Sequence, residues 1–189
     1  MKRLSVFFSI IVLIFALVGC SNKKILGNDT ESILDYLEES KLANSAEKKD
    51  IKVFDDIYIG NSKIVGFRSD TSQGVLIFEK DKNGDYILHE GQSNVINENS
   101  IGVTDYIVSY NNYKGLEKSE KALVLLSDGL KVSNVEISIN NNSAYKQNLK
   151  LGEPSMVFLD KNKVGNLSGD LNISFKYFDK NKKEIHSNI

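Results

Sequence analysis

The chain reads as mainly β: an antiparallel β-sandwich or bent meander of about eight to ten strands, with one N-terminal helix. Three observations predict this. From Ile51 onward, short segments rich in Val, Ile, Phe and Tyr recur between clusters of Asp, Asn, Lys and Gly, the layout of strands joined by tight turns. Some of these segments alternate apolar and polar residues, which suits an antiparallel strand with one wet face. The stretch after Asn28 instead carries its apolar residues at helical spacing.

That stretch begins with a cap. Asn28 or Asp29 can accept from the first free backbone N–H groups, and Glu31 stands three after Asn28 as in a capping box. Ile33, Leu34 and Leu37 share a face, whereas Glu31, Asp35, Glu38 and Glu39 lie mostly elsewhere. The helix is expected to fray within "SKLANSAEKKD" and to cover one side or end of a sheet.

The strands follow in order. "VFDDIYIG", "KIVGFRS", "GVLIFEK" and "DYILHE" are short and separated by turn residues. Val75 to Phe78 is continuously apolar, which predicts a strand buried on both faces. "DKNG" at Asp81–Gly84 predicts a hairpin, since Asn-Gly supplies the positive φ angles that a type I′ turn needs. "VTDYIVSY" and "KALVLLS" come next, the second apolar without interruption from Ala122 to Leu126. The loop between them, "NNYKGLEKSE", is polar and has room for a short helical turn. In "LKVSNVEISI", Leu130 and Val132 alternate in one phase and Val135, Ile137 and Ile139 in the other. A bulge or a break between strands near Ser133-Asn134 would reconcile the phases. "AYKQNLKLG" and "SMVFLD" are joined through Pro154, and "LNISFKYF" closes the series with Leu171, Ile173, Phe175 and Tyr177 on one face. "DKN" recurs at Asp81, Asp160 and Asp179, each time after an apolar strand. Turn chemistry explains the recurrence better than duplication does.

The N-terminus carries an address. Lys2 and Arg3 precede an apolar run from Leu4 to Val18, 15 residues long, and the single cysteine of the chain follows at Cys20. A charged start followed by a short apolar run is the layout of a secretory signal. Leu17-Val18-Gly19-Cys20 resembles the lipobox of bacterial lipoproteins. The resemblance covers Met1 to Cys20 and leaves the following domain unassigned to any family. It implies that Cys20 receives a diacylglyceryl group and becomes the mature N-terminus. It also implies a place on the extracytoplasmic face of the cell membrane. Two acyl chains suffice for stable anchoring where one does not. On this division residues 1–19 are the signal peptide, 20–28 the lipidated N-terminus and tether, and 29–189 a single β-rich domain. The mature part keeps 22 Lys+Arg against 25 Asp+Glu, a net charge of −3. This is no footprint for nucleic acid. Lipidation would leave no free thiol, hence no disulfide and no thiolate nucleophile.

The residues give little sign of catalysis. Asp81, Asn83 and Asp85 stand at the first, third and fifth positions of an EF-hand-like loop, but Tyr86 replaces the required Gly and Gln92 the required Glu. His89 and His186 are the only histidines and lie far apart in sequence. Neither a Gly-x-Ser-x-Gly elbow nor a Gly-rich phosphate loop is present. No catalytic residue, metal ligand or cofactor is assigned. Tyr106, Tyr110 and Tyr113, with Asn111 and Asn112 between the last two, are the candidate ligand-binding residues. Their even spacing equally allows Tyr106 and Tyr110 simply to line one face of a sheet. The expected function is a membrane-anchored, non-enzymatic binding or modulating domain, with an envelope protein as its possible partner. The alternatives are an envelope hydrolase using paired carboxylates and an immunity or inhibitor lipoprotein.

Overall fold

The computed structural model describes residues 25–43, 50–96, 100–112, 119–140, 145–165, 167 and 171–186. The expected signal peptide, Cys20, Ser21 to Lys24 and Tyr113 lie outside these residues. In chain order the described elements begin with α1 (Thr30–Ser40), β1 (Lys52–Ile59), β2 (Ser62–Arg68), β3 (Ser72–Lys80), β4 (Tyr86–Val95), β5 (Val103–Asn111) and β6 (Ser119–Ser127). They continue with β7 (Asn134–Ile139), β8 (Tyr145–Asn148), β9 (Ser155–Leu159), the short α2 (Lys161–Val164), β10 (Ile173–Phe178) and β11 (Glu184–Ile185).

The strands form three antiparallel sheets, ordered β1-β2-β3-β4, β5-β6-β9 and β11-β10-β7-β8. The chain is mainly β, with strands at hairpin spacing and one substantial helix, as its sequence predicts. The sheets stack in layers, and each layer boundary is one apolar cluster. Leu26, Ile33, Leu37, Val65, Phe67, Leu76 and Phe78 pack α1 against the first sheet. Ile64, Val75 and Ile77 meet Tyr106, Val108, Tyr110, Ala122, Val124 and Leu126 between the first and second sheets. Leu123, Leu125 and Leu159 meet Val135 and Ile137 between the second and third.

The two uninterrupted apolar runs now have a reason. Successive strand residues point to opposite faces. Val75 and Ile77 therefore face the second sheet while Leu76 and Phe78 face α1. On β6, Ala122, Val124 and Leu126 face the first sheet while Leu123 and Leu125 face the third. Both strands are covered on both sides, so neither can afford a polar phase. The expected sandwich is thus extended by a third sheet.

Local chemistry sets the element boundaries. Asp29 is the helix cap: its carboxylate accepts from the backbone N–H of Ser32 at 2.8 Å and from its hydroxyl at 2.9 Å. Those donors hold its pKa below the ordinary value. Asn28 instead accepts from the N–H of Tyr86 and donates to Asp85, both at 2.8 Å, so the residue that caps α1 is Asp29 and not Asn28. Beyond α1, the hydroxyls of Ser69 and Ser72 both donate to the carbonyl of Ala43 and fasten the end of the helical segment to the sheet. The phase break in "LKVSNVEISI" is a break and not a bulge. β7 starts at Asn134 and pairs with β8 and β10 without a register shift. On β10, Ile173, Phe175 and Tyr177 face the core and are half-buried, while Ser174 and Lys176 are exposed.

Candidate functional site

The surface that most resembles a site lies on the outer face of the third sheet. Asn134 and Glu136 project from β7, and their cross-strand partners on β8 are Asn148 and Lys146. Asn134 donates to the side-chain carbonyl of Asn148 at 2.8 Å. Lys146 pairs with Glu136 at 2.5 Å, with Lys146 largely exposed. The hairpin that follows β10 brings Asp179, Lys180 and Lys182 alongside. Together these groups, with Leu149 and Phe178, line a concavity of about 640 Å³. A second hollow of about 400 Å³ shares Asp179 and Lys180 with it and adds Leu130, Lys131 and Leu151. Leu130 and Leu151 are 71% and 42% exposed, so the rim is partly apolar.

Charge is segregated along the chain. Residues 21–129 carry 13 Lys+Arg against 19 Asp+Glu, whereas residues 130–189 carry 9 against 6. The concavity's own lining carries Lys146, Lys180 and Lys182 against Glu136 and Asp179, one positive charge in excess. Its two carboxylates are both committed. Glu136 is bound to Lys146, and Asp179 accepts from the backbone N–H groups of Asn181 and Lys183 at 2.8 and 2.9 Å. A hydrolytic pair needs one carboxyl kept protonated by its surroundings. Among the described residues, the carboxyl pushed upward is Asp105, through desolvation. It lines neither hollow. It lies on β5, where its charge adds to burial, the larger cause, in raising the pKa of Tyr177.

The tyrosines expected to bind a ligand do not form a patch. Tyr106 and Tyr110 share a face, but that face points into the core between the first and second sheets. The Tyr106 hydroxyl donates to the carbonyl of Gln73 at 2.6 Å. The Tyr110 hydroxyl donates to Glu120 at 2.9 Å, and its ring meets Phe158 edge-on with centroids 5.3 Å apart. Both rings fill the core, and neither offers a face to a ligand. Tyr113 lies outside the described residues.

The acidic loop at Asp81 is a turn. One oxygen of Asp81 accepts from the N–H groups of Asn83 and Asp85 at 2.8 and 3.0 Å, and Gly84 alone, without Asn83, takes positive φ (+91°), so the hairpin closes on a longer turn and not on the expected type I′. Among the described residues, no three His, Cys, Asp or Glu side chains gather as metal ligands. His89 is the exposed extra residue where the β3–β4 register shifts. No helix among the described residues is long and apolar enough to cross a membrane. Comparison with family models, curated proteins and solved structures finds no match for this chain.

Sequence reasoning missed Asn134, Glu136, Lys146, Asn148, Lys180 and Lys182 as one surface. The signal was present in part. The polar phase of β7 and the lysines after "DKN" mark wet surface, but only the sheet order brings β8 beside β7 and the final hairpin beside both.

Proposed function

We propose that this chain is a lipid-anchored binding domain of the bacterial cell envelope, held to the outer face of the membrane through a diacylglyceryl group on Cys20. Its contact surface is the concavity of the third sheet, and its partner presents acidic groups. The lipobox resemblance supports the address. The lining carries the choice of surface: Lys146, Lys180 and Lys182 stand against Glu136 and Asp179 around a hollow of about 640 Å³, in a chain whose mature part is net negative. Exposed leucines at the rim favour a protein partner, because apolar groups beside a polar rim are a common interface composition. An inhibitor or immunity role fits the same surface. The paired-carboxylate hydrolase is disfavoured, because Glu136 and Asp179 are both engaged.

The test uses the protein extracted from membranes and poly-L-glutamate as the acidic probe. Retention of the probe at low salt, falling as salt rises, is expected, since exposed charge pairs are screened. The triple substitution Lys146→Gln, Lys180→Gln and Lys182→Asn should abolish retention while leaving the circular dichroism of the fold unchanged. Equal retention by this variant, or none by the parent at low salt, would overturn the assignment of the surface.

A further inference from the structure

The segment that leads into the fold is fixed in place. The N–H groups of Leu26 and Gly27 donate to the carbonyl of Tyr86 at 3.3 and 3.0 Å. The Gly27 carbonyl accepts from the buried ammonium of Lys63 at 2.9 Å. Asn28 bridges Tyr86 and Asp85. The segment lies so close to the sheet that a Cβ on Gly27 would stand 2.6 Å from the Cβ of Tyr86 and 2.7 Å from the ring of Phe78. The chain thus leaves the fold at one defined point.

Four residues, Ser21 to Lys24, separate Cys20 from Ile25. A fully extended chain advances at most about 3.6 Å per residue, so Ile25 lies within about 18 Å of Cys20 in any conformation. A lipid on Cys20 would therefore hold this end of the first sheet against the bilayer surface. The end has side chains suited to that layer. Ile25 is 47% exposed and Tyr58 59% exposed. The Tyr58 ring meets Tyr86 edge-on at 5.8 Å, and the ammonium of Lys63 stands 5.3 Å from the Tyr58 centroid. Tyrosines favour the headgroup level, where an apolar ring and a polar tip are both accommodated. Asp56, Asp81 and Asp85 lie near the same end, so attraction to anionic lipid is not what holds it there.

The concavity lies at the other end of the strands. Asn61 bonds to Asn111 and Lys80 at the tether end. Thr71 bonds to Ile96 and Gly102 to Asp128 at the far end, and there Gly152 bonds to Gly129 just past β6 and the Lys131 ammonium to the Ser100 carbonyl, both in the rim that shares Asp179 and Lys180 with the concavity. At about 3.3 Å per residue, the nine residues of β3 separate the two ends by about 30 Å.

We infer that the tether end rests on the lipid headgroup layer through Ile25 and Tyr58, and that the concavity beside Leu130 is presented away from the membrane. This rests on the lipid anchor at Cys20. The chain contains no tryptophan, so a single introduced one reports its own position. Tyr58→Trp and Leu130→Trp variants are expressed as full chains, extracted from membranes and reconstituted in phosphatidylcholine vesicles containing a lipid with a nitroxide on its headgroup. Several-fold stronger quenching of the Tyr58→Trp emission than of the Leu130→Trp emission is expected. Equal or reversed quenching in protein whose mass includes the lipid would overturn the orientation alone. Protein that carries no lipid would overturn the anchor and the orientation together.

Discussion

Tyr106 shows what a single residue does in this fold. Its ring fills the boundary between the first two sheets, and its hydroxyl donates to the Gln73 carbonyl at 2.6 Å. Burial also pushes its pKa up, because the phenolate would lose its hydration. Tyr106→Phe keeps the ring and leaves a buried carbonyl with one donor fewer, which should cost about 1–2 kcal/mol. Tyr106→Ala removes the ring as well and should cost about 3–5 kcal/mol. Denaturant melts of both variants check the order. Equal, negligible effects would mean that the ring is not part of the core. The neighbouring Asp105 behaves differently. Asp105 keeps part of its surface open to solvent on β5, yet the apolar groups around it desolvate the carboxyl enough to raise its pKa in the folded chain above the ordinary value of 3.8. The folded state then binds the proton more readily than the unfolded state, so this residue's contribution is most favourable at low pH and is lost as pH rises through the folded pKa. Asp105→Asn should raise the melting temperature at pH 7, and the gain should fade as pH falls through the raised folded pKa and be largely lost by about pH 4. A lower melting temperature at pH 7 would contradict the sign. Spacing alone reveals that Tyr106 and Tyr110 share a face. It cannot reveal which way that face points, because β5 has a sheet on either side.

Among the elements, the turns were the most readable. Asp81 and Asp179 each begin a five-residue hairpin with the same bonds. The N–H of the Asp donates to the carbonyl four residues on, at 2.8 and 2.9 Å, and its carboxylate accepts from the residues two and four ahead. The fourth position takes positive φ in both, Gly84 at +91° and Lys182 at +63°. Identical turn chemistry therefore explains two of the three "DKN" occurrences. The third differs: Asp160 precedes α2 and makes no side-chain cap to it. Lys182 occupies a conformation that an L side chain resists by about 1–2 kcal/mol, while glycine loses more entropy on folding. Lys182→Gly should therefore stabilise the chain by about 0.5–1 kcal/mol net. A thermal melt checks this, and a clear loss of stability would show that the lysine side chain contributes more than its backbone costs. The long apolar runs of β3 and β6 were equally readable, since only strands covered on both faces need them. β11 was not, because two residues carry no period.

Across the whole molecule, the layering follows from those two runs, but the order of the strands does not. Local pattern marks the longer strands without saying which strand lies beside which. That β9 pairs with β6, and β10 with β7, is decided by packing between residues far apart in sequence. The candidate surface depends on that order, and so was hidden from local reading. The reading of Cys20 as a lipid site, by contrast, rests on the first twenty residues alone, because the signal it resembles is local and chemical. The orientation of the tether end and the placing of the concavity away from the membrane both depend on it. The most direct measurement is the intact mass of the protein extracted from bacterial membranes, with fragmentation to locate its N-terminus. A chain that begins at Cys20 and carries a diacylglyceryl group on that residue is the expected result, with Cys20→Ser lacking the lipid and remaining uncleaved at this position. A lipid-free chain cleaved elsewhere, or a Cys20→Ser variant that still carries lipid, would contradict it.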